Sequence, residues 1–120
     1  MLLALNAQDA ELLDKIIKMA IFMGMENAYP IGKDISNVQF FYHQGIRYKI
    51  ITHTQNNELG DSSTYQKQKW NGLSYHGKKV IKEINILGIM VDIYHVYNYT
   101  FLDLIKLIKA PVIASHSSAR

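Results

Sequence analysis

One carboxylate and three imidazoles occupy corresponding places along this chain. Glu26 lies in MGMENAYPIG, His53 in RYKIITHTQNN, His95 in MVDIYHV and His116 in PVIASHSSAR. Each follows a short apolar run that reads as a β-strand. Each run is separated from the next by a segment patterned as a helix. Parallel β/α folds gather the carboxyl ends of their strands on one face, and ligands bind among the loops there. A carboxylate and several imidazoles converging on such a face are the donors of a metal site. Zinc takes this mixture of oxygen and nitrogen readily. The chain has no cysteine, which excludes thiolate ligands and disulfides and leaves His, Asp and Glu to hold an ion.

Taken singly, each of these residues is weak evidence, because a lone imidazole at a strand end is more often packed or solvated than a ligand. Joint placement is what carries the reading. His95 and His116 are one strand–helix–strand step apart, so they fall on adjacent strand ends, which are about 4.8 Å apart. Asp92, three residues before His95, has two readings that stay open: an acceptor that orients an imidazole from behind, or a polar residue at a strand end. His43 and His76 lie near helix ends and are given no role. Tyr94, Tyr97 and Tyr99 crowd His95, with packing as the default explanation.

The elements that must position these groups follow from periodicity. Residues 10–23 carry apolar side chains at 12, 13, 16, 17, 20 and 23, one helical face. Asp9 is the candidate N-cap of this helix and Gly24 its C′ residue. A short strand follows over 25–28, ended by Pro30 and Gly32. A second helix has Asp34 or Ser36 as its candidate N-cap, turns Val38, Phe41 and Tyr42 inward, and stops at Gly45. Residues 47–52 read as a strand. The polar stretch 53–71 is long for a compact domain, and such loops are usually functional or disordered; Trp70 and Leu73 are expected to pin its end. Residues 76–87 form the clearest helix, ended by Gly88, and 89–93 a strand. A helix over 99–109, with Asp103 near its positive end, is broken by Ala110–Pro111. Residues 112–115 form the last strand. Strands alternating with helices imply a parallel sheet with right-handed crossovers.

Composition narrows the function classes. The chain has 120 residues, 48% hydrophobic, with a formal net charge of +3. That suits one small domain without a nucleic-acid partner. Lys78, Lys79 and Lys82 read as the solvated face of a helix rather than an anion patch. No run approaches the roughly 18 apolar residues of a membrane span. The opening MLLALNA has no basic residue before it and is a poor signal peptide; it suits the stub of an upstream strand. The compartment stays open between cytoplasmic and exported.

The run GLSYHGKKVIKEINILGIMVDIYHV, followed by APVIASHSSAR, resembles the membrane (renal-type) dipeptidases, a branch of the metal-dependent amidohydrolase barrels. RYKIITHTQNN is similar to that family's strand ending in Thr-His. ENAYPIG falls where the family has its metal-bridging glutamate. The resemblance covers about residues 12–120. It implies an α/β fold, a partial (β/α)8 TIM-type barrel of about four parallel β/α units. It implies a dinuclear zinc site that hydrolyses dipeptides. By resemblance, Glu26 bridges both metals, His95 and His116 bind the second, and His53 contacts the substrate and stabilises charge on the tetrahedral intermediate.

The chain also departs from the family pattern. The family's first metal is held by a His-x-Asp pair, and the residues two positions after the five histidines are Gly45, Gln55, Lys78, Tyr97 and Ser118. The family's later acidic proton shuttle and substrate-binding arginine fall beyond Arg120. Tyr94 stands where the family usually has a small residue, and Tyr75–His76 replaces a Pro–aromatic pair. Residues 1–120 therefore read as a single partial domain, the central part of a barrel without its first and its C-terminal strands. Such a piece is expected to be inactive alone and to self-associate through its open sheet edges. Two alternatives remain: a catalytically dead scaffold of the same fold, or an amidohydrolase-type metal hydrolase acting on another substrate.

Overall fold

A computed structural model of the chain describes residues 1–117. The elements run β1 (Leu2–Leu3), α1 (Ala7–Lys15), β2 (Ala20–Ile21), β3 (Met23–Met25), a 3-10 turn (Tyr29–Ile31), α2 (Ser36–His43), β4 (Ile46–Ile50), α3 (Tyr75–Leu87), β5 (Met90–Asp92) and α4 (Asn98–Leu107). Every strand pairing is parallel. β1 pairs with β2, β3 with β4 and β4 with β5. Ile113 then bridges to Asp92, also in parallel. The strands thus form two parallel sheets, β1–β2 and β3–β4–β5, with paired strands in chain order and each pair joined across a helix, as in successive barrel units. The opening apolar run is indeed strand β1, and the final one is reduced to the single bridge at Ile113.

The first helix is shorter than its periodicity predicts. Asn6, not Asp9, is the N-cap: its side chain accepts from the Asp9 amide at 2.8 Å, and the Asp9 carboxylate accepts from Leu5 N at 2.8 Å. The first bond satisfies one of the donors that the first turn would leave free, and the second ties the preceding residue to the helix start. The helix ends at Lys15, and Ile17 turns the chain with φ +54°. Residues 20–25 are needed beside β1 and β4, so sheet pairing overrides the helical pattern there. Gly24 is accordingly a strand residue and not a helix terminus. It pairs with Tyr48, and a Cβ at Gly24 would collide with the Tyr48 ring.

The later elements match their patterns closely. Ser74 caps α3, its hydroxyl accepting from Gly77 N at 2.8 Å. Gly88 ends α3 in the left-handed region at φ +69°, where a residue without Cβ meets no steric cost. At α2, however, neither Asp34 nor Ser36 is the N-cap: Ile35 takes that position without a side-chain cap, and Asp34 accepts instead from Ser36 N and Ser36 Oγ in a local turn just before the helix. Asp103 sits in mid-α4 rather than at its positive end. It accepts from Leu73 N at 3.1 Å and pairs with Lys78 at 3.7 Å.

The core lies between the sheet and its helices. Ile51 and Val91 meet Val38 of α2, Val80, Ile81 and Ile84 of α3 and Leu104 of α4. Full burial of each such side chain stabilises by about 1.5–3 kcal/mol relative to exposure. Strand alternation turns Tyr48, Ile50 and Asp92 to the opposite face.

The long polar stretch is held by buried hydrogen bonds. Asp61 is fully buried, and its carboxylate accepts from the amides of Lys69, Trp70 and Gly72. Trp70 Nε1 donates to the carbonyl of Asn57 at 2.8 Å, and Leu73 is buried, as their expected pinning role requires. The loop is therefore an ordered structure over the carboxyl ends of the strands. Among the described residues, no helix is long and apolar enough to cross a membrane.

Candidate metal centre

The four singled-out residues meet at the carboxyl end of the sheet. Glu26 follows β3 directly, and its loop is tied to β4 by the bond from Ala28 N to Ile50 O at 2.9 Å. His53 follows β4. Its carbonyl accepts from Ser62 Oγ, which anchors the backbone to the ordered loop. His95 follows β5 with a left-handed backbone, φ +64°. Its carbonyl accepts from Thr52 Oγ1 at 3.0 Å and from Ser63 N at 2.9 Å. These two donors fix a conformation that a non-glycine residue seldom adopts unaided. His116 follows the Ile113 bridge.

One carboxylate oxygen is the focus. Glu26 Oε1 lies 3.4 Å from His53 Nε2, 3.4 Å from His95 Nε2 and 3.6 Å from His116 Nε2. Two donors bound tetrahedrally to one zinc at about 2.0–2.1 Å are themselves about 3.4 Å apart. The observed separations therefore suit donors that share an ion. The ligand atoms of Glu26, His53 and His95 all lie within 4.8 Å of one another, and His116 adds a third imidazole on the same oxygen. The donor set fits a divalent metal.

The electrostatics agree. Burial, followed by the neighbouring His53 imidazole, holds His95 below the usual imidazole range, while Glu26 pulls the other way. A neutral imidazole is the form that binds metal. The His95 side chain is 15% exposed, against 40% for His53 and 45% for His116. His116 Nδ1 lies 2.7 Å from Ser115 Oγ. A proton held on Nδ1 and donated to that oxygen leaves the Nε2 lone pair facing Glu26.

Asp92 follows the second of its two sequence readings, a polar residue at the end of β5. It is fully buried, and its Oδ1 accepts from two backbone amides, Tyr94 N at 3.0 Å and Ser115 N at 3.4 Å. It holds the chain on which the imidazoles stand. Of the three tyrosines, Tyr94 is the one in contact with the site, stacked against both His95 and His116. Tyr97 and Tyr99 pair with each other, ring centres 5.6 Å apart. His43 ends α2 and is exposed, and His76 Nε2 lies 2.9 Å from the carbonyl of Gly32; neither reaches the cluster. Thr52, Ser62 and Ser63 escaped the sequence reading. Small hydroxyl residues in a polar loop carry no signal of their contacts until the chain is folded. The end of the SHSSAR run, residues 118–120, lies outside the described residues.

The site and sheet define a candidate metal centre at the open end of a segment of parallel β/α barrel. Comparison with known proteins refines this class. The family model for membrane dipeptidase, peptidase family M19, matches residues 1–120, and the chain belongs to that family. It is 35% identical over 117 residues to dipeptidase tcpJ of Claviceps purpurea, covering 98% of this chain and 28% of that protein. Among solved structures, it is similar to the probable dipeptidase PvdM from Pseudomonas aeruginosa, with a TM-score of 0.90 and 31% identity. That match covers 98% of this chain and 31% of PvdM. It also resembles a metallo peptidase from Rhodobacter sphaeroides liganded with a phosphinate mimic of the dipeptide L-Ala-D-Ala, with a TM-score of 0.86 and 25% identity. There the match covers 97% of this chain and 34% of the peptidase. The chain thus spans about a third or less of the length of these relatives. Its fold is α/β, a partial TIM-type barrel.

Proposed function

We propose that the protein carrying this chain is a metallo-dipeptidase whose centre holds two zinc ions bridged by Glu26. In this reading His95 and His116 hold the second ion, and the chain forms the central part of the barrel. The observation that carries the proposal is the convergence of three imidazole Nε2 atoms on Glu26 Oε1 at 3.4–3.6 Å. Bound there, the ions would supply a lowered water pKa and a polarised scissile carbonyl.

This chain's own residues would do the rest. Glu26, a half-exposed carboxylate, would bridge the two ions. Burial and the neighbouring His53 favour the neutral form of His95, the form whose lone pair binds metal. His53 stands as close to Glu26 as His95 does, so distance alone does not separate their roles. Its greater exposure suits a group that meets substrate and donates to the oxygen on which charge develops. A dipeptide substrate follows from the family and from the dipeptide mimic bound by the Rhodobacter relative. The absence of a His-x-Asp pair within these 120 residues means that this chain alone does not supply the first ion's usual ligands.

Zinc calorimetry and hydrolysis of an L-dipeptide by the full-length protein test the assignment. Glu26→Gln, His95→Ala and His116→Ala are each expected to weaken zinc binding and abolish turnover. His53→Ala is expected to keep zinc and lose about 10²–10³ in kcat. Wild-type binding and turnover in Glu26→Gln would sink the bridging role. Zinc binding without hydrolysis in the unaltered protein would favour a scaffold that keeps the fold.

A further inference from the structure

Two of the imidazoles in the cluster share an aromatic neighbour. The ring centre of Tyr94 is 4.0 Å from that of His95, at an interplanar angle of 68°. It is 3.6 Å from that of His116, at 47°. The two imidazole centres are 5.4 Å apart. A flat ring in contact with both limits how closely they approach and which way each plane faces.

The backbone reinforces the arrangement. Tyr94 N and Ser115 N donate to the same Asp92 oxygen. One buried carboxylate oxygen therefore holds the residue before His95 and the residue before His116. Ser115 Oγ reaches His116 Nδ1 at 2.7 Å. The two loops are tied at their base by Asp92 and spaced at their tips by Tyr94. An imidazole carried on a loop of exposed residues has several rotamers available, and restricting them before the ion arrives lowers the entropy lost on binding. His116, with 45% of its side chain exposed, has the most freedom to lose.

We propose that Tyr94 is a positioning residue that sets the separation and ring planes of His95 and His116, so that both Nε2 atoms are presented to one ion. The proposal rests on the reading of His95 and His116 as ligands. In this role Tyr94 acts through its ring contacts with the two imidazoles and is not itself a metal ligand.

The test compares Tyr94→Phe, which keeps the ring, with Tyr94→Ala and Tyr94→Leu, which remove it. The leucine variant keeps most of the bulk and guards against a simple loss of folding, which far-UV circular dichroism checks. Zinc affinity is read by calorimetry on the full chain. The imidazole proton signals of His95 and His116 are read by NMR without metal. The expected result is wild-type affinity in Tyr94→Phe and a loss of about 10–100-fold in the other two, the range for groups that orient metal ligands. The ring-current displacement of the His116 signals should persist in Tyr94→Phe and vanish in Tyr94→Leu. Unchanged zinc affinity in folded Tyr94→Leu would overturn the proposal while leaving the ligand assignment intact. Affinity in Tyr94→Phe as weak as in Tyr94→Ala would also overturn it, by placing the role in the hydroxyl. If His95→Ala and His116→Ala bind zinc like the wild type, the ligand reading fails and the spacer role falls with it.

Discussion

Lys49 is the residue least at home in its surroundings. It lies in β4 beside Val91 of β5, is fully buried, and its amine has no hydrogen-bond partner among the described residues. The amine sits 5.3 Å from the centre of the Phe41 ring, a contact that only partly replaces lost hydration. Burial pulls its pKa down to about 8, against about 10.4 for lysine in an unfolded chain. Between those values the unfolded chain binds more protons, so stability should rise as pH climbs from about 8 to about 10.4. Below pH 8 the full cost of charging a buried amine is present. Lys49→Met should therefore stabilise the chain at neutral pH by up to about 3 kcal/mol and remove the alkaline rise. Urea unfolding at pH 7 and pH 10 checks both, and equal stability of the wild type at the two values would refute the account.

At the scale of elements, the contact between α3 and the polar loop is a tight seam. Gly77 is buried in the first turn of α3, and a Cβ there would run into the carbonyl of Leu59. That same carbonyl accepts from Ser74 N at 2.9 Å, so it is not free to move aside. Gly77→Ala gains about 1 kcal/mol in helix propensity and incurs an overpacking cost of about 1–3 kcal/mol. With backbone as the obstacle, the cost should win. A net loss of up to about 2 kcal/mol, read as a denaturant midpoint shift, is expected, and a stabilised variant would show that the loop yields. Because the same loop holds His53 and His95 through Ser62 and Ser63, the variant should also weaken zinc binding.

The whole molecule presents surface that a closed barrel would cover. Leu2, Leu3, Leu12, Ile16, Met19 and Ile21 are exposed around β1, α1 and β2. Among the described residues, β1 and the Ile113 segment each pair on one side only. Unpaired edges beside apolar surface invite association with another chain. We propose that the isolated 120-residue chain self-associates, with light scattering showing a mass that grows with concentration. A monodisperse monomer with a sharp cooperative melt would count against this.

Much of this protein was legible in the order of its residues. Periodicity located α2, α3, α4, β4 and β5 to within a few residues, because one face of each is apolar and Gly45 and Gly88 mark true ends. Glu26, His53, His95 and His116 could be picked out because each follows an apolar run, and parallel topology then brings strand ends together. The boundary of α1 was not legible. Ile16, Ile17 and Ala20 continue a helical pattern, and only pairing with β1 and β4 decides that residues 20–25 extend. Tertiary structure alone decided how the site is held. The grip of Asp92 on two amides, the left-handed turn at His95 and the contact of Tyr94 with two imidazoles join residues brought together by sheet register. Local sequence encodes the propensity of each segment, whereas the distances between segments exist only once the sheet has set their register.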